Sequence, residues 1–373
     1  MQTALEHPLA ARDAKPPDGV RRMFGLVGLV AAALAIPVGV FHPAQFFHAY
    51  LFAALACLNP ALGCLALVFI HRMTGGSWGQ TLAPALSAGL RMIPCTLLFF
   101  LPLFFGLRHL FPWAAPGPLG AQAQALLAKH PFYFSRPVFV LRSVCYAVLF
   151  LIVLWMARSK RRAPWTGPAG MIGYMLAAYL LSVDWVLSLE PGWHSTGFPL
   201  VFMASQALSA LTLCIAVVIL AGPPGGAEDQ PAVWKDLANL LLGALMFWAY
   251  VSYSQFLVVW SGNLPDQAVW YLHRNAGGWH YLLVALAVFQ LFIPVLLLLS
   301  SRTKRRTLFF AALAGEVLVC QIVYLYWLIL PSFRPRGIGF HWLDALLLLA
   351  LGGLWLFGFL GLKPAAGKEA AGV

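Results

Sequence analysis

Apolar residues run along this chain in blocks about twenty long, separated by short stretches rich in Pro, Gly and basic side chains. A bilayer core about 30 Å thick is crossed by roughly 20 apolar residues in an α-helix, so each block predicts one transmembrane helix. The blocks fall at 23–41, 48–70, 83–106, 137–157, 168–188, 198–222, 236–260, 279–300, 307–330 and 341–362. They predict an all-α integral membrane protein: ten spans over 23–362, flanked by tails at 1–22 and 363–373. The two longest connections, about 107–136 and 261–278, leave no room for a soluble domain.

Composition agrees with the pattern. The 373 residues are 61% hydrophobic and 10% charged, against about a quarter charged in soluble domains. The net charge of +12 is distributed by topology. One face, that of the N-terminus, receives Arg12, Lys15, Arg21, Arg22, Arg72, Arg158, Lys160, Arg161, Arg162, Lys235, Arg302, Lys304, Arg305, Arg306, Lys363 and Lys368. The other receives Arg108, Lys129, Arg136, Arg274, Arg334 and Arg336. Loops rich in Lys and Arg stay in the cytoplasm, which puts both termini there. Short basic clusters between spans anchor to lipid phosphate, so no nucleic-acid partner is expected. The polar tail and long first apolar block lack a small-residue cleavage site, and the first span is expected to be retained.

Several chemistries lack their residues. Cys57, Cys64, Cys95, Cys145, Cys214 and Cys320 fall inside predicted spans and never as CxxC, so iron–sulfur ligation and c-type haem attachment are not supported. These cysteines are expected to pack as small apolar groups. The histidines sit at span ends, in loops or in the tail, not at matched depth on facing helices. No metal site, P-loop, GxSxG or HExxH motif is found. Any redox centre this chain serves therefore belongs to another chain.

Four charged side chains lie well inside spans: Arg91, Arg142, Asp184 and Glu316. Arg142 and Asp184 are each about five residues, roughly 8 Å, from the same membrane face on consecutive antiparallel spans, and an ion pair is expected. Arg91 and Glu316 share a depth near the midplane and form a second expected pair. Each pair has two readings: charges that neutralise one another and lock packing, or a carboxylate that carries protons or touches a polar ligand head. Asp184 has the stronger functional claim. Ser188 follows one turn later, and the chain then runs through Glu190, Trp193 and His194, a string of proton-competent groups leading to the surface.

Other polar groups are less specific. Ser205, Gln206, Ser209, Tyr250 and Ser254 read as interhelical glue, and Trp260, Trp270, Tyr271 and Trp279 as an interfacial aromatic belt. His71 opens a cytoplasmic loop, HRMTGGSW, whose likeness to HRNAGGW at 273–279 reads as chance recurrence of Gly and Trp.

Three segments carry a resemblance: FIHRMTGGSWG, SVDWVLSLEPGWHSTGFP and, most specifically, DLANLLLGALMFWAYVSYSQFLVVWSGNLPDQAVWYLHR at 236–274. From about residue 25 to 362 the chain resembles the F subunit of bacterial alternative complex III, of the NrfD-like (polysulfide-reductase membrane subunit) family. The resemblance implies two four-helix bundles and membership of a quinol-oxidising respiratory complex. Its haem and iron–sulfur centres would sit on partners: a multihaem cytochrome c, an iron–sulfur subunit and a paralogous NrfD-like subunit. It implies menaquinone or ubiquinone as ligand, with no covalently bound cofactor and no redox centre on this chain. Asp184, Trp185 and His194 lie in the family-like segment and carry the proton-route or quinone-contact assignment. Arg142 and Glu316 rest on depth alone. The competing classes are a secondary transporter using Arg91 and Glu316, for which Pro60 and Pro294 are the only broken-span hints, and a structural scaffold.

Overall fold

The computed structural model describes residues 18–115, 121–159, 163–222, 231–263, 265–300 and 307–361. Ten of its helices are long and apolar enough to cross a membrane, and no strand occurs among the described residues. Spans 1 to 10 are Asp18–Phe41, Pro43–Thr74, Ser77–Leu110, Arg136–Arg158, Thr166–Leu189, Phe198–Ala221, Ala232–Gly262, Trp279–Leu299, Thr307–Ser332 and Trp342–Gly361. The tails with Arg12, Lys15, Lys363 and Lys368, and the basic runs Lys160 to Arg162 and Arg302 to Arg306, lie outside the described residues.

Several helices outrun their apolar blocks, because backbone hydrogen bonding continues into the interface where apolar side chains are no longer required. Span 2 starts at Pro43, a residue suited to a first helical turn since its missing N–H would be unpaired there anyway. Span 3 starts just after Gly75 and Gly76, whose φ values of 70° and 103° disfavour any residue with a Cβ. Gly277 and Gly278 have the same property (56° and 93°), so the two similar motifs share a turn requirement.

The expected pair of four-helix bundles is present. Spans 2, 3, 4 and 5 close one ring of neighbours, and spans 6, 7, 8 and 9 another. Spans 2 and 6 join the rings and are buried almost all round. Their crossing depends on Gly63: a Cβ there would lie 1.9 Å from the Gln206 carbonyl oxygen. Small residues permit this approach, and lipid-embedded helices rely on it because they gain little from hydrophobic exclusion. Spans 1 and 10 pair through Gly28 and Gly353 and lean against span 2.

Cys57, Cys64 and Cys214 pack in the interior as expected, with the Cys64 and Cys214 sulfurs 3.9 Å apart. Cys95 and Cys145 do not: both are exposed on outward sides of spans 3 and 4. His71 ends span 2, donates from Nε2 to the Gly76 carbonyl (3.0 Å) and meets Trp78 edge-on, which makes it a clasp for the tight turn. Next to it, Arg72 donates to the carbonyls of Met156 and Ala157, capping the end of span 4.

Candidate functional site

The 3–4, 5–6, 7–8 and 9–10 connections meet at one end of the bundle, the loop face, and are tied there by three acids, the buried Asp184 and Asp344 and the half-buried Glu190. Span 4 begins at Arg136 behind Ser135 and carries Pro137 in its first turn, which sets Arg142 about 9 Å along the helix. The α-helical part of span 5 ends at Trp185, so Asp184 arrives at the same depth from the opposite direction. The expected pair forms as a fork: Arg142 donates from Nε to Oδ2 (3.1 Å) and from Nη2 to Oδ1 (3.0 Å) of Asp184, which is 2% exposed. Such bidentate geometry is the strong form of the carboxylate–guanidinium bond.

A third partner was not apparent from the sequence. Tyr133, in the 3–4 connection, donates its hydroxyl to Asp184 Oδ1 (3.1 Å), while its ring lies 3.8 Å from the Arg142 guanidinium carbon. Burial, reinforced by the Asp184 charge and opposed by Arg142, pushes the phenol up to about 12. It therefore remains a proton donor at neutral pH.

The expected string beyond Asp184 is divided. Ser188 donates to the Asp184 backbone carbonyl, closing the helix end and leaving the carboxylate to Arg142 and Tyr133. Trp185, expected as a ligand contact, is 1% exposed: its Nε1 donates to Tyr146, and rings of Phe100, Phe104, Phe111 and Phe139 surround it at 5.1 to 5.9 Å. It packs the first bundle. A 3₁₀ turn at Leu187–Leu189 then carries Glu190 off the face that holds Asp184.

Glu190 joins a different set. Its Oε1 accepts from Arg274 (2.7 Å) and Ser332 (2.6 Å), and its Oε2 pairs with His273 (3.1 Å). Arg274 also donates to the carbonyls of Trp270 (3.1 Å) and Leu328 (2.7 Å), and stacks on Trp270, which in turn stacks on Trp193 at 4.3 Å. Trp270 and Trp279 are thus not belt residues; both are buried, and Trp279 donates to the Arg334 carbonyl. Trp260 is exposed, as a belt residue would be.

Burial alone would raise the Glu190 carboxyl. The Arg274 charge and the bonds from His273, Ser332 and Arg274 outweigh it and hold the group at about 2, below the ordinary 4.5. His273 moves upward from 6.5 through its hydrogen bond to Glu190, against burial and the Arg274 charge. Burial draws Arg274 down from 12.5 while Glu190 opposes it, and from that starting value the guanidinium stays charged. A carboxyl depressed on folding stabilises the fold above its unfolded pKa and loses that contribution as pH falls through its folded one; a raised imidazole stabilises below its unfolded pKa and loses it as pH climbs through the folded one. The clasp is tightest between about pH 4.5 and 6.5. Thermal unfolding midpoints should peak in that window, and Glu190→Gln should flatten the acid limb, which represents ~3 kcal/mol. An acid limb unchanged in the variant would assign it to other carboxyls.

The third acid, Asp344, lies in the first turn of span 10 and is 1% exposed. Arg334 forks onto it (2.6 and 2.9 Å), and Tyr326 adds a bond of 3.1 Å. An acid at the start of an apolar block, ten residues after an arginine, was the available sequence signal.

Arg91 and Glu316 are not brought together. Arg91 donates to the Ser87 carbonyl one turn back, and no ion pair joins it to Glu316. Spans 3 and 9 belong to different bundles, with spans 2 and 6 between them, so equal depth did not make them neighbours.

Between the Asp184 and Glu190 groups opens a cavity of about 990 Å³. Its walls are chiefly apolar and include Tyr133, Ser188, Trp193, His194, Tyr250 and Gln255. His194 is exposed, while Tyr133 joins the cavity wall to the Asp184–Arg142 pair. An apolar space with a few polar groups suits a flat, largely apolar molecule with hydrogen-bonding oxygens. Comparison with protein-family models finds no match, and comparison with curated proteins finds none either.

Proposed function

We propose that this chain is a membrane subunit of a quinol-oxidising respiratory complex of the alternative complex III type, and that the cavity at its loop face receives menaquinol or ubiquinol. The observation that carries this reading is Tyr133, which lines the cavity and whose hydroxyl is bonded to a buried carboxylate already held by Arg142. The fit is chemical. A quinol is an apolar ring and tail with two hydroxyls, and the cavity offers apolar walls with Tyr133 and His194 as polar anchors.

Oxidising a bound quinol releases two electrons and two protons. The electrons pass to a centre on a partner chain, the multihaem cytochrome c or iron–sulfur subunit that the resemblance implies. The chain's own residues bind and handle protons. Tyr133 keeps its proton, which it shares in the hydrogen bond to Asp184, and accepts a hydrogen bond from a quinol hydroxyl. His194, exposed at the cavity wall, is the base that takes the two protons in turn, passing the first to water before it receives the second. Arg142 holds the Asp184 carboxyl oriented through its two-bond fork.

The test is quinol oxidation by the purified assembly, comparing wild type with Tyr133→Phe, His194→Gln and Asp184→Asn over a range of pH. With assembly intact, loss of one proton-handling group should lower turnover roughly tenfold or more. Unchanged turnover in all three would leave the chain as a scaffold, its charges serving packing alone. The transporter reading rested on a joint Arg91–Glu316 site, and no ion pair joins those two residues.

A further inference from the structure

We infer that the second bundle encloses a column of bound water running from the cavity at the loop face to the middle of the membrane. The observation is a line of buried polar atoms that find no partner among the described residues. On span 7, Trp248, Ser252 and Gln255 recur at helical spacing on the face that buries Leu241 and Leu245. The Trp248 Nε1, Ser252 Oγ and Gln255 Oε1 are all unpartnered. Gln255 is also part of the cavity wall, so the line begins there.

Span 8 faces the same space. Its buried stripe reads Leu286, Gln290, Pro294 and Leu298, four residues apart, with exposed apolar side chains around it. Gln290 is 0% exposed, and neither its amide nitrogen nor its amide oxygen has a partner. It lies in a π-helical turn, Ala287–Phe292, just before Pro294. Such turns cost regular hydrogen bonding and recur where a helix serves more than packing.

Span 9 completes the wall with the Gln321 Nε2 and Trp327 Nε1, again unpartnered. Tyr324, 5% exposed, meets Trp248 edge-on at 5.2 Å and so joins span 9 to span 7 at this level. At its inner end the line turns toward the first bundle. Asn59 on span 2 donates to Ser205 on span 6 (3.1 Å), and Ser205 donates to Gln321 Oε1 (2.5 Å). The Asn59 Oδ1 and Gln206 Nε2 remain unpartnered there.

Isolated orphans occur in proteins, but the large majority of buried polar groups are satisfied, and here seven orphaned atoms lie on three adjacent helices facing one interior. A buried water typically bonds about three such groups. Both donors (Trp248, Gln290, Gln321, Trp327) and acceptors (Gln255, Gln290) are present, with the Ser252 hydroxyl able to serve as either, which is what a chain of waters needs at its sides. The orphaned groups counted on this line are all neutral, so water is favoured over an ion as its occupant. The inference is independent of what the cavity binds.

Hydroxyl-radical footprinting with brief X-ray pulses, in ¹⁸O-labelled water and on the full chain in its native membrane, tests this directly. Trp248 and Tyr324 should be oxidised well above Trp185 and Trp279, which are buried too but have their indole N–H groups bonded to protein oxygens, and should acquire the ¹⁸O label more slowly than exposed Trp260. Gln290→Met, close in volume, should reduce labelling of Trp248 and Tyr324. If that variant does not assemble, Gln321→Met serves the same purpose, and the wild-type comparison stands without either. Labelling of Trp248 and Tyr324 no higher than that of Trp185 would show a dry bundle and overturn the inference.

Discussion

Arg274→Met is expected to cost about 3–5 kcal/mol and to release the loop face, because it removes one member of a buried ion pair and leaves the other charged. The Arg274 side chain is 3% exposed and its partner Glu190 16%. The guanidinium serves four acceptors on three separate segments: Glu190, the Trp270 and Leu328 carbonyls, and Ser332. Lysine has no planar fork with which to reach Glu190 and the Leu328 carbonyl together, so Arg274→Lys should rescue little. Pairing Arg274→Met with Glu190→Leu should recover much of the loss, since the stranded charge is then gone. Thermal unfolding of the four variants in detergent is the measurement. A midpoint for Arg274→Met equal to wild type would show that the cluster is solvated in solution.

Arg142→Leu is the second large effect, at about 2–4 kcal/mol, somewhat smaller because Arg142 is 21% exposed and water already shares its solvation. Asp184 is nearly closed to solvent and would keep only Tyr133 as partner. The doubly apolar variant, Arg142→Leu with Asp184→Leu, should return most of the stability, and the non-additivity of the cycle measures the coupling. The same double variant separates packing from chemistry. If Asp184 only locks spans 4 and 5, turnover returns along with stability. If Asp184 holds Tyr133 in place to bind the quinol hydroxyl, stability returns and turnover does not. A cycle that is additive would mean the pair is not coupled at all.

How much of this was legible beforehand depended on the kind of distance involved. The Arg142–Asp184 pair could be read because the two spans are consecutive and antiparallel, which makes neighbours of residues at equal depth. Arg91 and Glu316 satisfied the depth criterion equally well, yet lie on spans 3 and 9, with another pair of helices between them. Glu190 looked like the next step outward from Asp184, whereas its partners are 83, 84 and 142 residues away in sequence. Trp270 and Trp279 had the position of belt residues, but one carries a guanidinium on its face and the other donates to a loop carbonyl. Tyr133 sat in a connection with no pattern to mark it.

By itself the sequence determined the ten membrane-spanning helices and the depth of each charged group, since hydropathy and axial rise are both functions of position along the chain. The three-way bond at Asp184, the Glu190 clasp, the cavity between them and the line of unpartnered polar atoms behind it were decided by tertiary structure alone. They depend on which way each helix is turned and which helices stand side by side. Those quantities come from side-chain packing across the whole bundle, as at Gly63 where span 2 meets the Gln206 carbonyl, and no local run of residues contains them.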